Sequence, residues 1–142
     1  LQAINSQGGT CTSAADWVNS GWTFHPLGAP YAIFAISMGK GYFVKCSQAS
    51  TWLVEGVALS SGVALSLVPG YNLVGVPYPV GAYTAQGLLN AINAQGVACA
   101  SVARWYNSGW QFFNNGQPYN NFSIEADKGY FVKCSATGAF TP

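Results

Sequence analysis

Lys40-Gly-Tyr-Phe-Val-Lys-Cys-Ser47 returns unchanged as Lys128-Gly-Tyr-Phe-Val-Lys-Cys-Ser135. Eight identical residues recurring 88 positions apart in a chain of 142 mean that one structural module occurs twice. At that offset residues 1–47 align with residues 89–135 without a gap, and 28 of the 47 pairs are identical. Residues 1–52 are thus copy one, truncated at its N-terminus, and residues 53–142 are a nearly complete copy two. Copy one has no counterpart of residues 53–88. The expectation is a window on a longer tandem array, or strand exchange, in which copy one takes the strands it lacks from a neighbouring subunit.

Within the octapeptide a strand sends Tyr42, Val44 and Cys46 to one face and Phe43 and Lys45 to the other, so cysteine and valine should face the core together. Cys11 and Cys46 occupy the same two positions in copy one as Cys99 and Cys134 in copy two. The repeat selects the pairs Cys11–Cys46 and Cys99–Cys134, because each module must fold the same way with its own cysteines. Zinc is the competing use, but it wants three or four closely spaced ligands, and His25 is the only histidine. Modules of under 90 residues are marginal by burial alone, and a disulfide supplies about 3 to 4 kcal/mol to each. Such bonds imply an oxidising place, at the cell surface or beyond it.

Five basic and four acidic residues leave almost no long-range field. Nucleic acid would want a basic stripe, which is absent. The most apolar run, residues 61–83, is broken by Pro69, Gly70, Gly75, Pro77, Pro79 and Gly81, so it reads as strands and turns and not as a membrane span.

Outward from the motif, residues 63–68 and 71–76 alternate like strands joined or bent at Pro69-Gly70. Thr84 caps a helix whose Ala85, Leu88, Leu89 and Ile92 share one face and which Gly96 ends. Residues 101–106 and 110–113 form a hairpin whose loop, Asn107-Ser108-Gly109, relies on the glycine for positive φ; Asn19-Ser20-Gly21 repeats it. Trp17 and Trp22, like Trp105 and Trp110, bracket that turn, and their first use is cross-strand packing. Strands are expected around Phe34 and Ile36 and around Phe122 and Ile124, and beyond residue 52 a strand running to Val57 in copy one. The fold class is therefore α+β, mostly antiparallel β: two tandem copies of a small disulfide-closed β module with one short helix each.

The pattern Gly70-Tyr-Asn-Leu-Val-Gly-Val-Pro77, a helix, an aromatic hairpin and then Lys128-Gly-Tyr-Phe-Val132 resembles the tandem modules of large secreted or surface-anchored bacterial and archaeal proteins. Those modules open on Gly-Trp-Asn-Leu and close on Gly-Tyr-Trp; Tyr71 and Phe131 stand here where tryptophan is common. The resemblance covers nearly all of copy two and the later half of copy one. It implies an extracellular structural or adhesive module and assigns no catalytic residue.

Chemistry has few candidates. His25, next to Pro26 in a loop, has no nucleophile signalled near it. Asp16, Glu125 and Asp127 align with Arg104, Ser37 and Gly39, so none recurs. Glu125 and Asp127, two apart, can share a strand face as an acid pair or a calcium ligand pair, or be solvated loop charge, and two carboxylates do not fill a calcium site. No enzyme, cofactor or metal is expected. Glycan binding is the runner-up to the structural reading: Tyr31, Tyr119, Tyr106, Tyr78 and Asn120 offer flat faces and an amide to a neutral sugar. Asn121-Phe122-Ser123 is an N-glycosylation triplet. The expected partners are copies of the module itself or adjacent repeats.

Overall fold

The computed structural model describes residues 1–57, 59–76 and 83–142. Two compact units make up the chain: unit 1 holds Leu1–Ile36 and residues 42–57, and unit 2 holds Ser37–Gly41 and Leu59–Pro142. Both are mostly antiparallel β modules closed by a disulfide.

Unit 1 opens on a single helical turn, α1 (Gln2–Asn5), followed by β1 (Cys11–Val18), β2 (Gly21–Pro26) and β3 (Phe43–Cys46). The three strands form one antiparallel sheet in the order β2-β1-β3. Its hairpin corrects the expected turn. Positive φ falls on Asn19 and Ser20, at 51° and 62°, and not on Gly21. With Val18 opposite Gly21 the loop has only two residues, and a tight turn that follows strand twist needs both of them left-handed. His25 is likewise inside β2, opposite Ala14, and not in a loop. Cys11 lies directly across from Cys46, the disulfide joins them, and β1 shifts register between Cys11 and Ser13.

Unit 2 runs β4 (Leu65–Leu67), β5 (Gly70–Gly75), α2 (Ala85–Ala94), β6 (Cys99–Tyr106), β7 (Gly109–Asn114), β8 (Gly129–Cys134) and β9 (Gly138–Phe140). A four-stranded sheet has the order β5-β8-β6-β7, and β4 pairs with β9 in a second sheet. The β6–β7 hairpin repeats the two-residue turn, with φ 48° at Asn107 and 60° at Ser108, and Cys99 faces Cys134 as Cys11 faces Cys46. Thr84 caps α2 by accepting the Gly87 N–H at 3.1 Å, and Ala85, Leu88, Leu89 and Ile92 are buried on one face. That face meets Val74, Val76, Val102, Phe113, Tyr130, Val132 and Phe140 in one core. Each fully buried aliphatic side chain there contributes about 1.5 to 3 kcal/mol.

Strands β4 and β5 do not pair with each other. Gly70, at φ 97°, turns the chain between sheets, and the Asn72 amide holds the corner. Asn72 Oδ1 accepts the Val68 N–H at 2.9 Å while its Nδ2 donates to Val68 O at 2.8 Å and to Val132 O at 3.3 Å. Where strands were expected around Phe34–Ile36 and Phe122–Ile124 the chain is irregular. In unit 2 the reason is visible: Phe122 O accepts the Ala85 N–H and Ile124 N–H donates to Tyr83 O, an isolated antiparallel bridge of Ser123 with Thr84, so this backbone pairs with the start of α2 and joins no strand of the sheets.

Several hydrogen bonds repeat at the 88-residue offset. Asn5 brackets the Cys11 backbone, donating to its O and accepting its N–H, as Asn93 does for Cys99. Gln7 makes the same two-way bond with the Leu53 backbone that Gln95 makes with Thr141. What does not repeat is burial. Val132 is 0% exposed, but its counterpart Val44 is 44% exposed; Phe140 is 0% exposed and its counterpart Trp52 48%. Residues 51–57 form no strand, which corrects the expected run to Val57. The cause is pairing: β9 bonds to β4 and β8 is flanked by β5, whereas among the described residues of unit 1 no strand takes the place of β4 or β5.

Two substitutions measure this difference. Val132→Ala should lower the stability of unit 2 by about 2 kcal/mol, whereas Val44→Ala should stay within about 0.5 kcal/mol, read as shifts in urea unfolding midpoints.

Candidate functional site

The candidate site is the sheet face turned away from α2. Strand alternation fixes its membership, because Val74, Val102, Phe113, Tyr130 and Val132 point into the core. Their neighbours Tyr71 and Leu73, Ala103 and Trp105, Phe112 and Trp110, and Phe131 and Lys133 therefore occupy the other side. Tyr71 meets Phe131 edge-on with centroids 6.0 Å apart, and Phe131 meets Trp110 at 5.5 Å. Trp110 in turn touches Trp105 at 5.3 Å and Phe112 at 6.3 Å. Rings from all four strands thus form one continuous row. Phe131 is buried within it, while Trp105, Trp110 and Phe112 are each about half exposed and Tyr71 somewhat less. Lys133 Nζ stands 5.5 Å from the Tyr71 ring, its stem along the face.

Unit 1 carries the same arrangement on three strands. Trp17 and Trp22 are 5.1 Å apart at 75°, against 77° for their counterparts, and Trp22 reaches Phe43 at 5.3 Å and Phe24 at 5.9 Å. Edge-on pairs of this kind add about 0.5 to 1.5 kcal/mol beyond burial. A half-exposed row of rings is also a surface that another apolar body can cover. Reading the tryptophans as cross-strand packing is correct as far as it goes; their continuity with Tyr71 and Phe131, 60 residues apart, was not readable from spacing.

The polar candidates lie elsewhere. The Arg104 guanidinium lies over the rings of Tyr106, at 4.7 Å, and Phe122, at 4.3 Å, and its Nε donates to Gln111 Oε1 at 2.8 Å. Gln111 Nε2 donates to Asn120 Oδ1, and Asn120 Nδ2 to Phe112 O. Tyr106 and Asn120 are therefore linked through Arg104 and Gln111. Tyr119 is exposed on the same loop as Asn120, and Tyr31 is exposed in unit 1, where its O lies 3.0 Å from His25 Nδ1. Tyr78, with Pro77, Pro79 and Gly81, lies outside the described residues. The Asn121 side chain accepts the Gln86 N–H at 2.9 Å, at the start of α2, from an exposed position.

Glu125 and Asp127 have separate cations and do not act as a pair. Arg104 lies 3.8 Å from Glu125, and Lys128 is hydrogen-bonded to Asp127 at 3.0 Å. That hydrogen bond holds the Asp127 carboxyl below its ordinary range and raises the Lys128 ammonium. Asp16 is buried, with its Oδ1 accepting the Trp17 N–H. Among the described residues no cluster of His, Cys, Asp or Glu is arranged to hold a metal. No helix among them is long and apolar enough to cross a membrane.

Tyr130 closes the core side of β8. Stacked on Phe122 at 6.1 Å, it accepts the Glu125 N–H at 2.8 Å, and burial raises its phenol above the usual range.

Neither a protein-family model, nor a curated protein, nor a solved structure matches the chain.

The Tyr130 environment makes a pH prediction. A phenol raised on folding stabilises the protein fully below its ordinary pKa, and that contribution is lost as pH climbs through the raised value. Unit 2 should therefore lose stability above about pH 10, and Tyr130→Phe should flatten the fall in an alkaline series of urea melts.

Proposed function

We propose that the chain is a structural or adhesive repeat segment that works outside the cytoplasm, as part of a surface protein or an extracellular filament, without catalysing a reaction. One observation carries this reading. The duplication keeps the disulfide and the four rings at positions 17/105, 22/110, 24/112 and 43/131, yet it keeps none of Asp16, His25, Glu125 and Asp127. What is present twice is thus an apolar contact surface on a cross-linked scaffold, together with the lysine pairs Lys40/Lys128 and Lys45/Lys133, while no carboxylate or imidazole recurs. Disulfides in both modules favour an oxidising compartment. Scarcity of charge favours crowded, polymeric surroundings. The resemblance to tandem Gly-Trp-Asn-Leu and Gly-Tyr-Trp modules of surface proteins points the same way.

A second reading has its own support. The half-exposed rings of Trp105, Trp110 and Phe112 form the kind of row that stacks on the apolar faces of a neutral sugar, which makes a carbohydrate-binding module the alternative.

Electron microscopy of native material separates the first reading from its rivals, with regular fibres or a surface lattice expected. Thiol alkylation without reductant should leave all four cysteines unlabelled; isolated particles with free thiols would contradict the proposal. For the second reading, a glycan panel read by tryptophan fluorescence should show saturable quenching that Trp110→Ala abolishes, and silence across the panel removes it.

A further inference from the structure

Asn121-Phe122-Ser123 is the one Asn-x-Ser/Thr triplet formed by the ten asparagines of the chain, and the row of rings makes no use of it. In unit 2 its three side chains have different surroundings. Phe122 is buried and stacks on Tyr130 at 6.1 Å, whereas Asn121 and Ser123 on either side of it are exposed. We infer that Asn121 is a modification site that carries an N-linked glycan on Nδ2. The inference rests on the reading that the chain works outside the cytoplasm, because the sugar donor and its transferase belong to the membrane that exported chains cross.

The Asn121 amide can take the sugar and keep its structural bond. Three N–H groups of the first turn of α2 lack an intrahelical acceptor; Phe122 O takes that of Ala85, Thr84 Oγ1 that of Gly87, and Asn121 Oδ1 that of Gln86 at 2.9 Å. Among the described residues the Asn121 side chain has no further hydrogen-bond partner. In the transfer, Nδ2 attacks the anomeric carbon of a sugar activated as a lipid-linked phosphate or pyrophosphate. The N–C bond forms, the C–O bond to phosphorus breaks, the phosphate leaves with the bonding pair, and one Nδ2 proton passes to a base of the transferase. The product is still an amide, so Oδ1 continues to accept the Gln86 N–H. With Phe122 in the core and its backbone bonded to the start of α2, the folded triplet is closed to a transferase cleft. Transfer therefore precedes the closing of unit 2, and folding leaves the glycan outside.

The surface beside Asn121 is matched to a sugar. Gln86 Nε2 donates to Asn90 Oδ1 at 2.7 Å and to Asn115 Oδ1 at 2.6 Å, and Gln86 Oε1 accepts the Gly116 N–H at 2.7 Å, which makes an uncharged patch of amides. Copy one has Leu27, Ala32 and Ile33 where copy two has Asn115, Asn120 and Asn121, and Ala35 in place of Ser123. Leu27 and Ile33 are exposed in unit 1. The copy that carries the triplet thus also presents, at the same surface positions, groups that hydrogen-bond sugar hydroxyls. Because Asn121 is bonded to α2, the glycan stands on the α2 side of the sheet and leaves the row of rings uncovered.

The test is mass spectrometry of the native full chain, intact and after digestion, with thiol alkylation without reductant run on the same material. The added mass of one glycan is expected on the peptide that holds Asn121 and on no peptide that holds another asparagine. Expressed in the native host, Ser123→Ala should abolish the added mass while leaving Asn121 Oδ1 in place on α2, and Ser123→Thr should retain it. Unmodified Asn121 in material whose four cysteines resist alkylation overturns this inference and leaves the extracellular reading standing. Unmodified Asn121 together with labelled cysteines overturns both. A glycan that persists in the Ser123→Ala chain, or that sits on another asparagine, overturns the assignment.

Discussion

Unit 2 depends on the pairing of β5 with β8. That pairing brings Val74 and Val76 under α2, sets the Asn72 amide against Val68 and Val132, and directs the chain through Gly70 to the β4–β9 sheet. Remove it and Tyr130, Val132 and Phe140 lose a wall of their pocket at once. Unit 1 shows the consequence in the same molecule. Its octapeptide has the same residues, the same disulfide and the same hairpin beside it, yet its valine lies open. Burial here is set by the neighbouring strand and not by the strand's own sequence.

A smaller set of interactions is indifferent to that pairing. The cross-strand disulfide closes a loop of 35 residues in each unit, removing unfolded-state entropy equivalent to about 3 to 4 kcal/mol. Asn5 and Asn93 seal the backbone of the first cysteine from the side, and the paired tryptophans pack edge-on at each hairpin. These contacts are local to residues present in both copies, so both copies have them. They hold a three-stranded core that β5, α2 and the β4–β9 sheet then enclose in unit 2.

Much of this was readable from the residues, because the duplication is long and the helix carries its own signals in Thr84, Leu88, Leu89, Ile92 and Gly96. Other features were not. The sequence points to Gly21 and Gly109 as the turn residues because glycine is free to take positive φ, but the register puts Asn-Ser at the turn and leaves the glycines in strands. Phe122 and Ile124 alternate like a strand, yet their backbone is taken by the N-terminus of α2. The aromatic row joins residues from β5, β8, β6 and β7, and no local spacing reports which rings a sheet order will bring together. Of the glycan candidates, Tyr31, Tyr119 and Asn120 lie outside the strands and Tyr106 ends β6, whereas the exposed rings that line up, Tyr71, Trp105, Trp110 and Phe112, lie within strands.

The proposed reading joins the row of rings to a lightly charged, cross-linked module that would present contact surface to other polypeptide or to sugar. Its central claim is that identical octapeptides sit in unequal environments because only one is paired on its outer side. Amide hydrogen exchange followed by NMR tests this most directly. Residues 130–134 and 138–141 should be protected far beyond residues 42–46 and 50–53, since exchange tracks the local cost of opening. Equal protection in the two copies of the isolated chain would contradict the account.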